Sequence, residues 1–228
     1  SNTDIIRAFY VDEKTEDKSS VTQDGGDYID ENNHTHTYIS TGDAFAKLTA
    51  GNDIKIDAKA DKATQDITAV YWGSTNQGDI QAEHDIQIAS SAKTSAKAVA
   101  VNQKHGTLNI AATNDLSILA SQSEGTEGNL IYGILAEGGS LNSSSINLSI
   151  QAQDIQNKAT AIGIFASAKD AKDKAVINHS ALADGDILIE GADFGVLAAQ
   201  NAEVNLDNSK GNNTQIIADM AAVNGGKV

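Results

Sequence analysis

The stretch Gly133-Ile134-Leu135-Ala136-Glu137-Gly138-Gly139-Ser140-Leu141-Asn142, followed by Ile146-Asn147-Leu148-Ser149-Ile150, decides how this chain is read. It holds a short apolar run, a glycine corner, a second run ending in Asn, a loop, and a third run of strict alternation. Each run has the length of a strand and is bounded by turn residues. The pattern returns at Gly195-Val196-Leu197-Ala198-Ala199-Gln200-Asn201-Ala202-Glu203-Val204-Asn205. Looser copies are Ala98-Val99-Ala100-Val101 with Gly106-Thr107-Leu108-Asn109, and Ala69-Val70-Tyr71-Trp72-Gly73 with Gly78-Asp79-Ile80-Gln81.

Aligning the first runs on Ile39, Val70, Val99, Ile134, Ile164 and Val196 gives spacings of 31, 29, 35, 30 and 32. The second runs, on Leu48, Ile80, Leu108, Leu141, Ile177 and Val204, are 32, 28, 33, 36 and 27 apart. The third runs start at Ile54, Ile86, Leu116, Ile146, Ile187 and Ile216, spaced 32, 30, 30, 41 and 29. Three tracks sharing one period of about 31 residues indicate a solenoid, propeller or array. A propeller blade needs four strands in about 40–45 residues, and this unit is shorter with three runs. The expected fold is therefore all-β: a right-handed parallel β-helix with three strands per coil and about six coils. In such a coil each strand pairs with its counterparts one coil away, at about 4.8 Å, making a rod about 30 Å long. Alternation sends every second side chain into a shared core. Ile54/Ile56, Ile86/Ile88, Leu116/Ile118, Ile146/Leu148/Ile150 and Ile187/Ile189 read as those inward positions, with Leu188 as an outward exception. The third-run residues Ile54, Ile86, Leu116, Ile146, Ile187 and Ile216 are expected to stack in one inward row.

The chain has 31 acidic and 16 basic residues, a formal charge of −15. Nucleic acid and anionic membrane surfaces are poor partners, because both demand a basic footprint. Absence of Cys excludes a disulfide framework and thiolate metal sites. No apolar run approaches the roughly 18 residues that a spanning helix needs, so no membrane insertion of this segment is expected. Ser1-Asn2 reads as the scar of a removed tag, and no signal peptide is legible.

Residues 1–37 are the least regular and read as a partial coil or cover, with a plausible strand at Ile5, Ile6, Phe9 and Val11 and then an acidic loop from Lys14 to Asn33. The alternating pair His34 and His36 could touch a metal, but no third ligand is in view, so an exposed strand is expected. Residues 38–228 are expected to form the solenoid. A charged insert, Ala168-Lys169-Asp170-Ala171-Lys172-Asp173-Lys174, swells the corner after Phe165. It reads first as a solvated bulge that the strands tolerate; the alternative is that, with the loops 121–129 and 208–214, it presents specific contacts on one face. Ala221-Ala222-Val223-Asn224 resembles the start of another coil, which reads as a fragment of a longer rod.

The second strands end in Gln81, Asn109, Asn142, Asn178 and Asn205, an expected amide ladder along the stack. The third strands are preceded by Asp53, Asp85, Asp115 and Asp186, interrupted by Ser145 and Gln215. Carboxylates about 4.8 Å apart repel by about 1 kcal/mol in water and about 3–4 at an effective dielectric of 20, so these are expected to cap their own turns. No EF-hand spacing supports calcium. No nucleophile motif is present, and His34, His36, His84, His105 and His179 fall in loops or beside polar corners without visible partners. Asp184 and Asp186 echo glycosidase carboxylate pairs only weakly. No catalytic, cofactor-binding or metal residue is assigned.

The stretches 195–206 and 133–142 resemble the Gly-Val-x-Ala…Gly…Val-Asn-Leu coils of type V autotransporter passenger domains, with the likeness running over about residues 38–224. The resemblance implies display on the surface of a Gram-negative bacterium through a covalently linked C-terminal translocator β-barrel. It also implies an adhesin or its stalk, binding an unidentified host or bacterial surface protein or glycan. A polysaccharide-active β-helix enzyme is the alternative, for which the ten aromatics are a thin supply.

Overall fold

The computed structural model describes residues 5–12, 27–29, 35–37 and 46–228; Ile39, His34 and most of the acidic loop (residues 14–26 and 30–33) lie outside them. No helix is present among the described residues, and nearly all strand pairing is parallel. The strands are β1 (Ile5–Asp12), β2 (Asp27–Ile29), β3 (Thr35–Thr37), β4 (Ala46–Ala50), β5 (Ile54–Gly73), β6 (Gln77–Ala82), β7 (Ile86–Gln103), β8 (Thr107–Ala112) and β9 (Asp115–Gln122). They continue with β10 (Leu130–Ala136), β11 (Ser140–Ser145), β12 (Asn147–Asp154), β13 (Thr160–Ala166), β14 (Ala175–Ala181), β15 (Asp186–Ala198), β16 (Ala202–Asp207) and β17 (Asn213–Ala222). Among the described residues only β2 and β3 pair antiparallel, and β3 contains His36.

The second runs stack as a six-stranded sheet, β16-β14-β11-β8-β6-β4, whose five steps make about five turns rather than six. The long strands β5, β7, β15 and β17 run through a third run and the next first run without a break. Those two faces therefore merge into one nine-stranded sheet, separated by loops only after β9 and β12. The fold is a parallel β-helix, and β1 lies against the first-run half of β5.

Register differs from the sequence alignment in a consistent way. The first-run row is Phe9, Val70, Val101, Ile134, Ile164 and Val196, so Val101 replaces Val99 and the described neighbour before Val70 is Phe9 instead of Ile39. The third-run row is Ile54, Ile86, Leu116, Leu148, Ile187 and Thr214; Ile146 precedes its strand and Ile216 belongs to the next row. In the second runs Ile80 pairs with Ile110, and Leu108 with Gly78. Each slip is of two residues, which in the second and third runs keeps every side chain on its face and leaves the alternation intact. In the first run the alternation resets between Val99 and Val101, so Val101 joins the core while Val99 faces outward.

The core follows from that alternation. Ile54, Ile86, Leu116, Leu148 and Ile187 are all buried, as are Ile56, Ile88, Ile118, Ile150 and Ile189 in the parallel row. Each such side chain contributes about 1.5–3 kcal/mol on leaving water, well above the net value of a single ladder hydrogen bond. Trp72 is fully buried, and Gly78 makes room for it: a Cβ there would lie 2.3 Å from the indole ring.

Two polar ladders run along the outside. Asn109 Nδ2 donates to Asp79 Oδ1 at 2.7 Å, Asn142 Nδ2 to Asn109 Oδ1, Asn178 Nδ2 to Asn142 Oδ1 and Asn205 Nδ2 to Asn178 Oδ1, the last three at 2.9 Å. Asp79, and not Gln81, begins this row, because Gln81 pairs with Ala111. The second ladder runs Asp53, Asp85, Asp115, Asn147, Asp186, Asn213, so its interruptions are Asn147 and Asn213 in place of Ser145 and Gln215. Asp53 Oδ1 accepts the Asp85 N–H and Asp85 Oδ1 accepts the Asp115 N–H, both at 3.2 Å. These carboxylates cap the following coil instead of their own turn, and the two amides relieve the like-charge stack.

Candidate functional site

The first-run strands are apolar at nearly every position, which leaves side chains for both faces of the sheet. In β10 the inward residues are Ile131, Ile134 and Ala136. Gly133 sits at a bend where the alternation resets, so Tyr132 and Leu135 both project outward. Glycine is required there: a Cβ on Gly133 would come within 2.6 Å of the Gly163 carbonyl, and one on Gly163 within 2.7 Å of the Gly195 carbonyl. The repeated bend builds two outward rows, Val99–Tyr132–Ile162–Phe194 and Leu135–Phe165–Leu197. They form a second apolar cluster, separate from the core, joined by Leu130. The Tyr132 and Phe165 rings stack across it, centroids 5.6 Å apart and planes 19° apart.

Over this patch lies a cleft of about 520 Å³. Its floor is Leu130, Tyr132, Leu135 and Phe165; its rim carries Lys97, Lys104, His105, Glu137, Ser167, Lys169, Asp170 and Asp173. The charged insert supplies one wall. The corner between β13 and β14 has eight residues (167–174), against three at 104–106, 137–139 and 199–201. Ala168 is buried and its N–H donates to the Gln200 carbonyl, so the insert leaves the core from a fixed point. An Asx turn forms where the Lys172 N–H donates to Asp170 Oδ1 at 2.9 Å. Asp173 then ties the loop back: Oδ1 accepts the Gly139 N–H at 2.8 Å, and Oδ2 lies 2.6 Å from His105 Nδ1.

Most rim charges are mutually engaged. Lys104 pairs with Glu137, and Lys97 lies 3.6 Å from Asp66. Burial, and then the Glu137 charge, pushes the Tyr132 phenol above its ordinary value, so its hydroxyl stays protonated and can donate. The site can therefore hold a ligand with an apolar face and hydrogen-bonding edges.

Two other concavities lack this combination. One, about 380 Å³, runs past Ile155 between the ion pairs Lys59–Asp61 and Lys93–Glu124. The other, about 820 Å³, is an open face over Asp115–Ser117, Asn147–Ser149, Asp186–Leu188 and Asn213–Gln215. Neither has an aromatic in its lining.

The loops 121–129, 168–174 and 208–214 do not share a face. They lie at the third-to-first, first-to-second and second-to-third corners respectively, and only 168–174 lines the cleft. Two histidines read as partnerless do have partners: His105 meets Asp173, and His179 Nδ1 lies 3.1 Å from Ser143 Oγ. His179 is no loop residue. It points inward from β14 and is buried, which pushes its imidazole down to about 4, opposed by the Asp207 charge. That pair lies inside the solenoid wall, where it serves packing and not attack on a substrate. Asp186 accepts the Asn213 N–H and side-chain amide, while Asp184 uses its carbonyl to hold Asn212, so the two form no joint acid–base centre. Among the described residues no three His, Asp or Glu side chains converge on one point.

The outward apolar rows were missed in the sequence, although the unalternating runs Ile134-Leu135-Ala136, Ile164-Phe165-Ala166 and Val196-Leu197-Ala198 were their signal. No family model, curated protein or solved structure matches this chain.

Proposed function

We propose that this chain is part of an autotransporter passenger, displayed outside a Gram-negative cell, that acts as an adhesin or its stalk and holds ligands without transforming them. The observation that carries this reading is the cleft beside the charged insert, an aromatic and aliphatic floor offered on the outside of a laddered solenoid. The sequence pattern of the coils supports the passenger assignment. The rim acids Glu137 and Asp173 are held by Lys104 and His105, an arrangement suited to shaping a wall. The test uses beads coated with the chain or with a version lacking Lys169–Asp173. That deletion leaves a three-residue corner, the length found in the coils on either side. Adhesion to cell layers should fall for the deleted form while its melting temperature stays close to that of the parent. Equal adhesion by both disposes of the cleft as the contact site. Protein-proportional release of reducing ends from a polysaccharide mixture turns the reading to an enzyme.

A further inference from the structure

The cleft's unspent hydrogen-bonding groups and its closed ion pairs point to the chemistry of its ligand. Tyr132 is only 7% exposed, yet its hydroxyl has no hydrogen-bond partner among the described residues while the residue lines the cleft. A ligand that covers that hydroxyl without pairing it would take on the cost of a buried, unsatisfied polar group. The Ser167 hydroxyl and the Lys169 ammonium are likewise free of partners among the described residues. Most of the other rim groups are engaged in place: Lys104 pairs with Glu137, Lys97 with Asp66, His105 Nδ1 lies 2.6 Å from Asp173 Oδ2, and Asp170 Oδ1 accepts the Lys172 N–H. A ligand of several charges would meet one free cation among the described rim residues, the Lys169 ammonium, and would have to break those pairs for any more. A polyanion would also meet the −15 charge of the chain. A purely apolar ligand would cover the floor and leave the Tyr132 hydroxyl dry.

What fits is a molecule that is neutral, with one C–H face and a hydroxylated edge. The C–H face lies on Phe165 and Leu135, and the edge meets Tyr132 Oη, Ser167 Oγ and Lys169 Nζ. The volume of about 520 Å³ is in the range of small-ligand sites, roughly 300–1,000 Å³. We propose that the cleft is a binding subsite for one or two pyranose residues of a neutral glycan. This rests on the adhesive reading of the same site and names its ligand.

Saturation-transfer NMR on the full chain tests it, with lactose, cellobiose and maltose as neutral probes and glucuronate as the anionic one. Transfer to the ring C–H protons of at least one neutral disaccharide is expected. Its dissociation constant should weaken about tenfold in Phe165→Ala and in Lys169→Ala, and stay unchanged in Ile155→Ser at the distant corner. Lys169→Ala keeps the test decisive if Phe165→Ala loosens the patch, since Lys169 is exposed. Absence of transfer to all three neutral sugars overturns the proposal, as does transfer to glucuronate alone or equal affinity in parent and both cleft variants. Bead adhesion that persists without any sugar binding sinks the glycan assignment and leaves the adhesive reading standing. Sugar binding with adhesion indifferent to the deletion does the reverse.

Discussion

Replacing His179 with Leu tests the internal register and the electrostatics of the wall together. His179 occupies the inward row Ile80–Ile110–Ser143–His179–Leu206, so an aliphatic side chain matches its neighbours. It is 2% exposed, its Nε2 has no partner among the described residues, and burial holds its pKa at about 4 against 6.5 unfolded. The unfolded chain therefore takes up the proton first. Stability is complete above about pH 6.5, falls as the pH drops toward 4, and levels off below that. At about 1.4 kcal/mol per pH unit the full loss is about 3 kcal/mol, of which about 2 is gone by pH 5. His179→Leu removes this slope, while losing the Ser143 contact costs only about 1 kcal/mol at any pH. Urea unfolding at pH 7.5, 6.0 and 5.0 reads the difference between the two proteins, in which the titration of every other group cancels. The gap should shift by about 2 kcal/mol in favour of the Leu variant between pH 7.5 and 5. Parallel curves for the two proteins would refute the burial of a neutral imidazole at this position.

Three further outcomes follow from the ladders and the core. Asp154 is buried at the corner after β12; burial pushes its carboxyl up, but the N–H groups of Ala159, Lys158, Gln156 and Gly125 outweigh this and hold it below the ordinary range. Asp154→Asn should cost about 2–4 kcal/mol at pH 7 by urea titration. That deficit narrows as the pH falls through the lowered carboxyl pKa, because the parent loses its charge there. Asn142→Ala leaves Asn109 Oδ1 and Asn178 Nδ2 without their mates at half-exposed positions, and should lower stability by about 1 kcal/mol in the same assay. Leu116→Asp places a carboxylate between Ile86 and Leu148 and should cost about 4 kcal/mol or prevent folding, read by far-ultraviolet circular dichroism and melting.

The coil architecture was legible because inward positions repeat on three tracks, and a solenoid needs only that. Register was less legible. Ile146, Leu148 and Ile150 all satisfy the same alternation, and nothing local says which of them meets Leu116; the answer lies in the Asn147–Asp115 bond across 32 residues. Asp79 and Gln81 are hard to tell apart for a similar reason, since both are polar and both point outward from β6. The insert at 168–174 was visible as charge that no core accepts. The cleft it walls was not, because its rim is assembled from pairs such as His105 and Asp173, 68 residues apart. Tyr132 and Phe165 sit in apolar runs, and nothing local marks them as outward. Only the bend at Gly133 and its counterpart at Gly163 turns them outward.

Asp79 at the head of the amide ladder has a consequence for the whole stack. An Asn amide can be turned end for end at little expense, so a column of them has two equivalent polarities. A carboxylate has no N–H to give. Asn109 must therefore turn its NH₂ toward Asp79, which leaves its oxygen facing Asn142, and the same choice passes to Asn178 and Asn205. One acceptor-only residue acts as the first domino and sets the handed sense of four amides over successive coils. Asp79→Asn would return the column to a mixture of two senses, with a fault wherever they meet.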